Sequence, residues 1–199
     1  MDIVYNGVDD IFRPIDKEVC REVLQRYGIK GKYILHISNG SIVKNLDGII
    51  RAFDKVRSRV NCKLVIVGNI KRKVECKDTI YVGYIPYEYL PYFYSGAEIF
   101  IFPSFHEGFG LPIVEAMACG TPVITSNVYA TKEVAGDAAL LVNPYNVDEI
   151  AEAIYKILTD EVCREELIRK GIKRAKFFSW EKCARGYADI YREVCNLEH

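Results

Sequence analysis

Six short apolar runs recur along this chain, most of them followed by a turn and then by residues spaced for a helix. They are Tyr33–Ile37, Lys63–Gly68, Thr79–Tyr84, Ala97–Phe102, Pro122–Thr125 and Ala138–Val142. Within most of them polar and apolar residues do not alternate, so each reads as a strand covered on both faces. Buried strands that alternate with helices predict an α/β fold, a doubly wound, Rossmann-like parallel sheet. Ligands in such sheets bind beyond the carboxyl ends of the strands. At 199 residues the chain suits one large domain with a sizeable core. An entry segment and helix fill residues 1–32, the sheet core 33–145 and closing helices 146–196.

The helices have legible ends. Asp16 is placed to cap a helix running to about Arg26, with Gly28 ending it. Lys44-Asn45 begins a helix bearing Leu46, Ile49, Ile50 and Phe53 on one side, and Tyr87–Tyr94 makes an aromatic helix. A short helical turn is expected at Lys132-Glu133-Val134, and Asn146-Val-Asp-Glu149 reads as a capping box. Asp160 and Ser179 are placed to cap the last two helices.

Acidic and basic residues balance at 27 each, so nothing points to nucleic acid or to an anionic membrane. The one basic cluster, Lys71-Arg72-Lys73, reads either as a solvated loop or as a contact to phosphate or a lipid headgroup. Seven scattered cysteines form no Cys-x-x-Cys pair, which suits reduced core thiols in the cytosol. Neither a signal peptide nor an apolar run of transmembrane length is evident, and Leu197-Glu198-His199 reads as the start of an expression-tag scar.

The chemistry concentrates in Phe102–Val123. Phe100-Ile101-Phe102 ends a strand, Pro103 and Ser104 stop it, and Glu107-Gly108-Phe109-Gly110 forms a glycine-bearing loop. Pro112 takes the first position of a helix that Gly120 closes. A glycine loop opening into a helix presents backbone N–H groups and the positive end of a dipole to oxygen-rich anions. Glu107 and Glu115 frame that turn, and a carboxylate accepts hydrogen bonds from sugar hydroxyls. Such a stretch suits a ligand carrying both phosphates and hydroxyls, such as a nucleotide sugar.

Glu107-Gly-Phe-Gly-Leu-Pro-Ile-Val-Glu115, with Ala-Met-Ala-Cys-Gly-Thr-Pro-Val after it, resembles the paired-glutamate motif of group 1 (family 4) retaining glycosyltransferases. The resemblance implies the C-terminal, donor-binding domain of a two-domain GT-B fold. It implies transfer of a glycosyl group, with retention, from a nucleoside diphosphate to an acceptor hydroxyl. Lys44 and Glu107 are then the catalytic pair: Lys44 on the donor diphosphate and Glu107 on the sugar hydroxyls. The backbone of Phe109, Gly110 and Leu111 faces the sugar, and Glu115 grips the ribose. The base is placed beside Gly83, Tyr84 and Ile85. Tyr84 is either a stacking platform or packing, His106 either a ligand contact or a structural residue, and Lys44 by itself also reads as a surface helix lysine.

In the family, the neighbourhood of Glu133 lines the donor pocket. An arginine usually accompanies the lysine, five residues before it or immediately before it, whereas this chain has Asn39 and Val43 there. One cation fewer weakens neutralisation of the diphosphate unless the amides of residues 39–41 replace it. Ile3–Asp9 resembles the family's Asn-Gly-Val-Asp turn at the domain junction, implying that an N-terminal acceptor half is the missing partner. No Asp-x-Asp pair or histidine set suggests a metal, and none is expected, nor any other cofactor. The expected setting is the cytoplasm, extending to its membrane surface if the acceptor is lipid-linked. Two further readings stay open: a non-catalytic donor-binding subunit of a split transferase, and another GT-B enzyme such as a nucleotide-sugar epimerase.

Overall fold

Six strands pair side by side, all parallel, in the order β3-β2-β1-β4-β5-β6. In this computed structural model, which describes residues 3–197, they are β1 Tyr33–Ile37, β2 Lys63–Val67, β3 Thr79–Gly83, β4 Ile99–Phe102, β5 Val123–Ser126 and β6 Leu140–Val142. The helices are α1 Lys17–Gln25, α2 Leu46–Val56, α3 Leu90–Gly96, α4 Leu111–Ala118, α5 Tyr129–Ala135, α6 Val147–Thr159, α7 Glu161–Ala175 and α8 Trp180–Leu197. This is the doubly wound α/β fold expected from the alternation of runs.

The burial on both faces is why the strand sequences run apolar without a break. Leu35, Val65, Phe100 and Phe102 pack with Leu24, Phe93, Ile113 and Met117 on one face. Ile34, Ile66, Ile101 and Ile124 pack with Ile49, Phe53, Ile150 and Ile154 on the other. Neighbouring residues along each strand thus serve opposite cores, as the two-residue period of a strand requires. Each fully buried Ile, Leu or Phe contributes about 1.5–3 kcal/mol through removal of its surface from water.

Helix ends follow the local chemistry closely. The Asp16 side chain accepts from the Glu18 N–H, and Asp160 from that of Cys163. Ser179 Oγ accepts from the Lys182 N–H. Helix α4 ends with Gly120 at φ +74°, where the Gly120 and Thr121 N–H groups return to Met117 and Ala116. That pairing satisfies carbonyls the helix cannot use itself, and it needs a residue without a Cβ penalty.

Three local readings shift. Helix α2 starts at Leu46, because Ile42–Lys44 forms a tighter 3₁₀ turn instead. Helix α5 runs from Tyr129 to Ala135, longer than the turn expected at 132–134. Asn146 caps α6 as expected, accepting from Asp148 and Glu149, but Glu149 returns to the Asn143 N–H rather than to that of Asn146.

The entry segment folds back onto the far end of the chain. Val8 bridges to Ser179, and a Cβ on Gly7 would lie 2.1 Å from the Trp180 nitrogen. Only glycine permits this approach of two backbones. Cys20, Cys62, Cys119 and Cys183 are buried free thiols, and Cys195 is exposed. Of the three residues read as a tag, Leu197 ends α8, while Glu198 and His199 lie outside the described residues.

Candidate functional site

The chain winds away from β1 in both directions: β2 and β3 lie to one side, β4, β5 and β6 to the other. Loops leaving β1 and β4 therefore part above the sheet, and a crevice opens between their carboxyl ends. Residues 38–45 form one wall. Asn39 Oδ1 accepts from the Ser41 N–H and Ser41 Oγ from that of Val43, which folds the turn that delivers Lys44. Residues 103–110 form the other wall, joined to the first by the Phe105 N–H donating to the Val43 carbonyl.

Lys44 and Glu107 meet across this crevice. Lys44 Nζ donates to Glu107 Oε1 at 2.7 Å, and the two side chains are only 20% and 13% exposed. The ammonium also lies 4.6 Å from the centre of the Phe102 ring. Asn45 locks the arrangement. It adopts the left-handed conformation at φ 54°, which a short polar side chain tolerates better than most. Its buried Nδ2 donates to the carbonyls of Pro103 and Pro144, tying the ends of β1, β4 and β6 together. Gly48 leaves room for it, since a Cβ there would lie 2.3 Å from Asn45 Oδ1.

Gly110 precedes α4 at φ +98° and carries no capping side chain. Leu111 is the first residue of the helix, so Pro112 is its second, one position later than the sequence reading. Phe109 turns its ring away to pack edge-on against Phe178 at 5.6 Å, leaving its backbone on the loop. Glu115, a turn into α4, accepts from the Tyr94 hydroxyl at 2.7 Å. Burial lifts its carboxyl above the usual range against the lowering effect of the Tyr94 bond, and the Asp9 charge adds to the lift. A carboxylate held under these conditions keeps acceptor capacity on its second oxygen.

The residues expected from sequence beside a base stand farther along the edge. Gly83 ends β3 at φ +84°, and its carbonyl accepts from the Gly68 N–H at 2.7 Å. Tyr84 is 81% exposed, whereas the Ile85 side chain lies in the core, leaving only its backbone toward the surface. Three strand spacings separate β3 from β4, about 14 Å. An extended nucleoside-diphosphate sugar covers that span and a bare phosphate does not.

Other singled-out residues have partners of their own. Glu133 Oε1 accepts from the Tyr5 hydroxyl, and its carbonyl from Arg174. His106 packs edge-on against Tyr129 at 4.9 Å. Among the described residues, no group of three or more His, Cys, Asp or Glu could hold a metal ion. Two contacts near the crevice have no signal of their own in the sequence. Tyr94 falls within the aromatic helix, where only the need of a buried hydroxyl for a partner hints at its bond to Glu115. Fully buried His36 hydrogen-bonds the Ile101 carbonyl through Nδ1, and burial lowers its pKa to about 4, keeping it neutral beneath the crevice.

The family profile described as "Glycosyl transferases group 1" matches residues 21–174. The O-antigen chain mannosyltransferase B of Escherichia coli is 38% identical over 187 residues, covering 87% of this chain and 49% of that protein. Two solved structures share the fold. Anabaena HepE, solved with UDP and glucose, superposes with a TM-score of 0.84 at 18% identity, over 96% of this chain and 56% of its own. The C-terminal domain of a group 1 glycosyl transferase, LpcC of Francisella tularensis, gives 0.74 at 24% identity, over 86% of this chain and 97% of its own. The chain spans about half the length of the curated relative. With the profile covering most of the residues that build the crevice, this chain belongs to the group 1 glycosyl transferases.

Proposed function

We propose that this chain supplies the donor-binding half of a transferase that moves a glycosyl group, with retention, from a nucleoside-diphosphate sugar to an acceptor hydroxyl. The observation that carries this reading is the Lys44–Glu107 pair across the β1/β4 crevice. A cation and a carboxylate held against each other match the two parts of such a donor. The diphosphate attracts Lys44, and the sugar hydroxyls donate to Glu107. Their mutual bond keeps both side chains placed until the donor separates them.

In the reaction the bond between the anomeric carbon and the phosphate oxygen breaks and one to the acceptor oxygen forms. The acceptor's proton ends on the diphosphate or on solvent. The difficult part is negative charge growing on the departing phosphate, where fixed donors help most. Lys44 supplies a charge-assisted bond there. The uncapped start of α4 supplies the Leu111 N–H and the positive end of its dipole, since Pro112 has no N–H and that of Ile113 returns to the Gly110 carbonyl. Glu115 holds the ribose with its free oxygen, and Gly83 to Ile85 offer backbone to the base. The UDP and glucose bound by HepE support this ligand class. The E. coli relative's name supports a polysaccharide as acceptor. An acceptor-binding half is the partner this reading requires. Among the described residues no helix is long and apolar enough to cross a membrane.

A thermal-shift panel of UDP-, GDP- and ADP-sugars finds the donor, and calorimetry then measures it against Lys44→Ala. The expected loss is ~1.5–3 kcal/mol, the worth of a hydrogen bond to a charged group. Unchanged affinity in a folded variant would remove Lys44 from the site, and no binding by any nucleotide sugar would sink the reading.

A further inference from the structure

The sequence singled out Lys71-Arg72-Lys73, and the donor crevice makes no use of it. In the structure the run divides. Lys73 lies over the Tyr81 ring, 5.5 Å from its centre, while Lys71 and Arg72 line a cleft of about 770 Å³ together with Arg51 of α2. Asn39 to Ile42 form one edge of that cleft, and Phe105 and Tyr145 form its apolar wall, their rings stacked at 4.7 Å.

The cleft shares Asn39 to Ile42, Asn45 and Phe105 with the walls of the donor crevice but lies toward the opposite face of the sheet from Glu115. Glu115 and Tyr94 stand on α4 and α3, which pack on one face of the sheet, whereas α2 and α6 cover the other. The cleft is bounded by α2 and by Val147, the first residue of α6, and neither Lys44 nor Glu107 lines it.

Charge is what distinguishes it. Nearby cations are spent on partners: Lys55 on Asp148, Arg57 on Asp54. Arg51, Lys71 and Arg72 form no ion pair among the described residues. Three unpaired cations around one concavity repel each other, and an anion seated among them removes that cost. Asp47, the acidic residue of the lining, leaves a net charge near +2. A phosphate monoester carries about −1.5 to −2 at neutral pH and offers three acceptor oxygens, which arginine forks match. The exposed Ile42 and the Phe105–Tyr145 stack offer apolar surface for the organic part of an ester.

We infer that this cleft binds a phosphate monoester, at a second site behind the β1 loop and independent of the donor. The ester is either a lipid headgroup or a soluble molecule, and two arms of one experiment separate these sources. In one arm the chain is sedimented with phosphatidylcholine vesicles, plain or doped with phosphatidic acid, with phosphatidylserine as a charge control. In the other, glycerol 3-phosphate is titrated by calorimetry. Both use wild type, Lys44→Ala and the double variant Arg51→Gln/Arg72→Gln, each checked for fold by circular dichroism.

Binding in either arm should survive Lys44→Ala and fall at least about tenfold in the double variant, the minimum for losing charge-assisted contacts. Phosphatidic acid preferred over phosphatidylserine assigns the lipid source, and glycerol 3-phosphate binding without vesicle binding assigns the soluble one. No binding in either arm overturns the proposal. So does binding that phosphatidylserine matches, or that the double variant retains, or that Lys44→Ala abolishes. The donor reading is measured with nucleotide sugars and stands or falls separately.

Discussion

Glu107→Ala separates two ligands that differ only by a sugar. In the free chain Glu107 holds Lys44 at 2.7 Å, and a diphosphate must break that bond to gain the ammonium. The side chains are 20% and 13% exposed, so screening by water is incomplete, but neither is sealed from solvent. A value near the top of the range for partly exposed pairs, ~1 kcal/mol, is therefore appropriate. Removing the negative charge frees Lys44 and should tighten a bare nucleoside diphosphate by about fivefold. The nucleotide sugar also loses its acceptor for hydroxyls, ~1.5–3 kcal/mol, and should bind roughly two- to thirtyfold more weakly once the freed lysine is counted. Glu115→Ala is the contrast. A ribose is common to both ligands, so both should weaken alike, by about ten- to a hundredfold. Calorimetric titration of both variants against both ligands, after circular dichroism confirms folding, reads the four values. If Glu107→Ala weakens the bare diphosphate as much as the nucleotide sugar, then Glu107 maintains the loop rather than reads the sugar, and the assignment fails.

Stability measurements probe the same site from the other side. Burial raises the Glu115 carboxyl above its ordinary 4.5, so the folded chain holds its proton more tightly than the unfolded one. The resulting penalty is absent below pH 4.5 and grows as pH rises through the folded value, so wild-type stability should decline across that window. Glu115→Gln can still accept from Tyr94 and should lack that decline in urea melts at a series of pH values; equal slopes would refute it. Asn45→Ala leaves the Pro103 and Pro144 carbonyls buried without Nδ2 and should cost about 1–3 kcal/mol for each, with donor affinity falling as the loops part. An unchanged urea midpoint would show that water replaces the amide. Gly7→Ala puts a methyl 2.1 Å from the Trp180 nitrogen. It should cost about 1–3 kcal/mol and expose the entry segment to limited proteolysis, and a protected segment at wild-type stability would contradict the contact.

Local periodicity determined the elements of this fold, because a buried parallel strand and an amphipathic helix each write their burial into a few consecutive residues. Leu64 to Val67 and the Ile49, Ile50, Phe53 stripe of α2 show this, as do the caps Asp16 and Asp160 and the closing Gly120. The glycine loop with its two glutamates likewise pointed to the crevice proposed for the chemistry, since its composition is unusual for a plain turn. What no local pattern carries is which distant groups satisfy one another. Lys44 lies 63 residues from Glu107, and the two meet only because β1 and β4 are neighbours at the point where the strand order reverses. Asn45 looked like a helix-start residue, yet its amide is consumed by carbonyls 58 and 99 residues away. Gly7 read as part of a turn at a domain junction, and its constraint within this chain is a backbone more than 170 positions later. The run Lys71-Arg72-Lys73 looked uniform, but packing against Tyr81 removes one cation and aims the other two beside Arg51. Hydrophobic pattern is a property of neighbours along the chain, whereas pairing of charges and buried polar groups belongs to neighbours in space, and the strand order decides which those are.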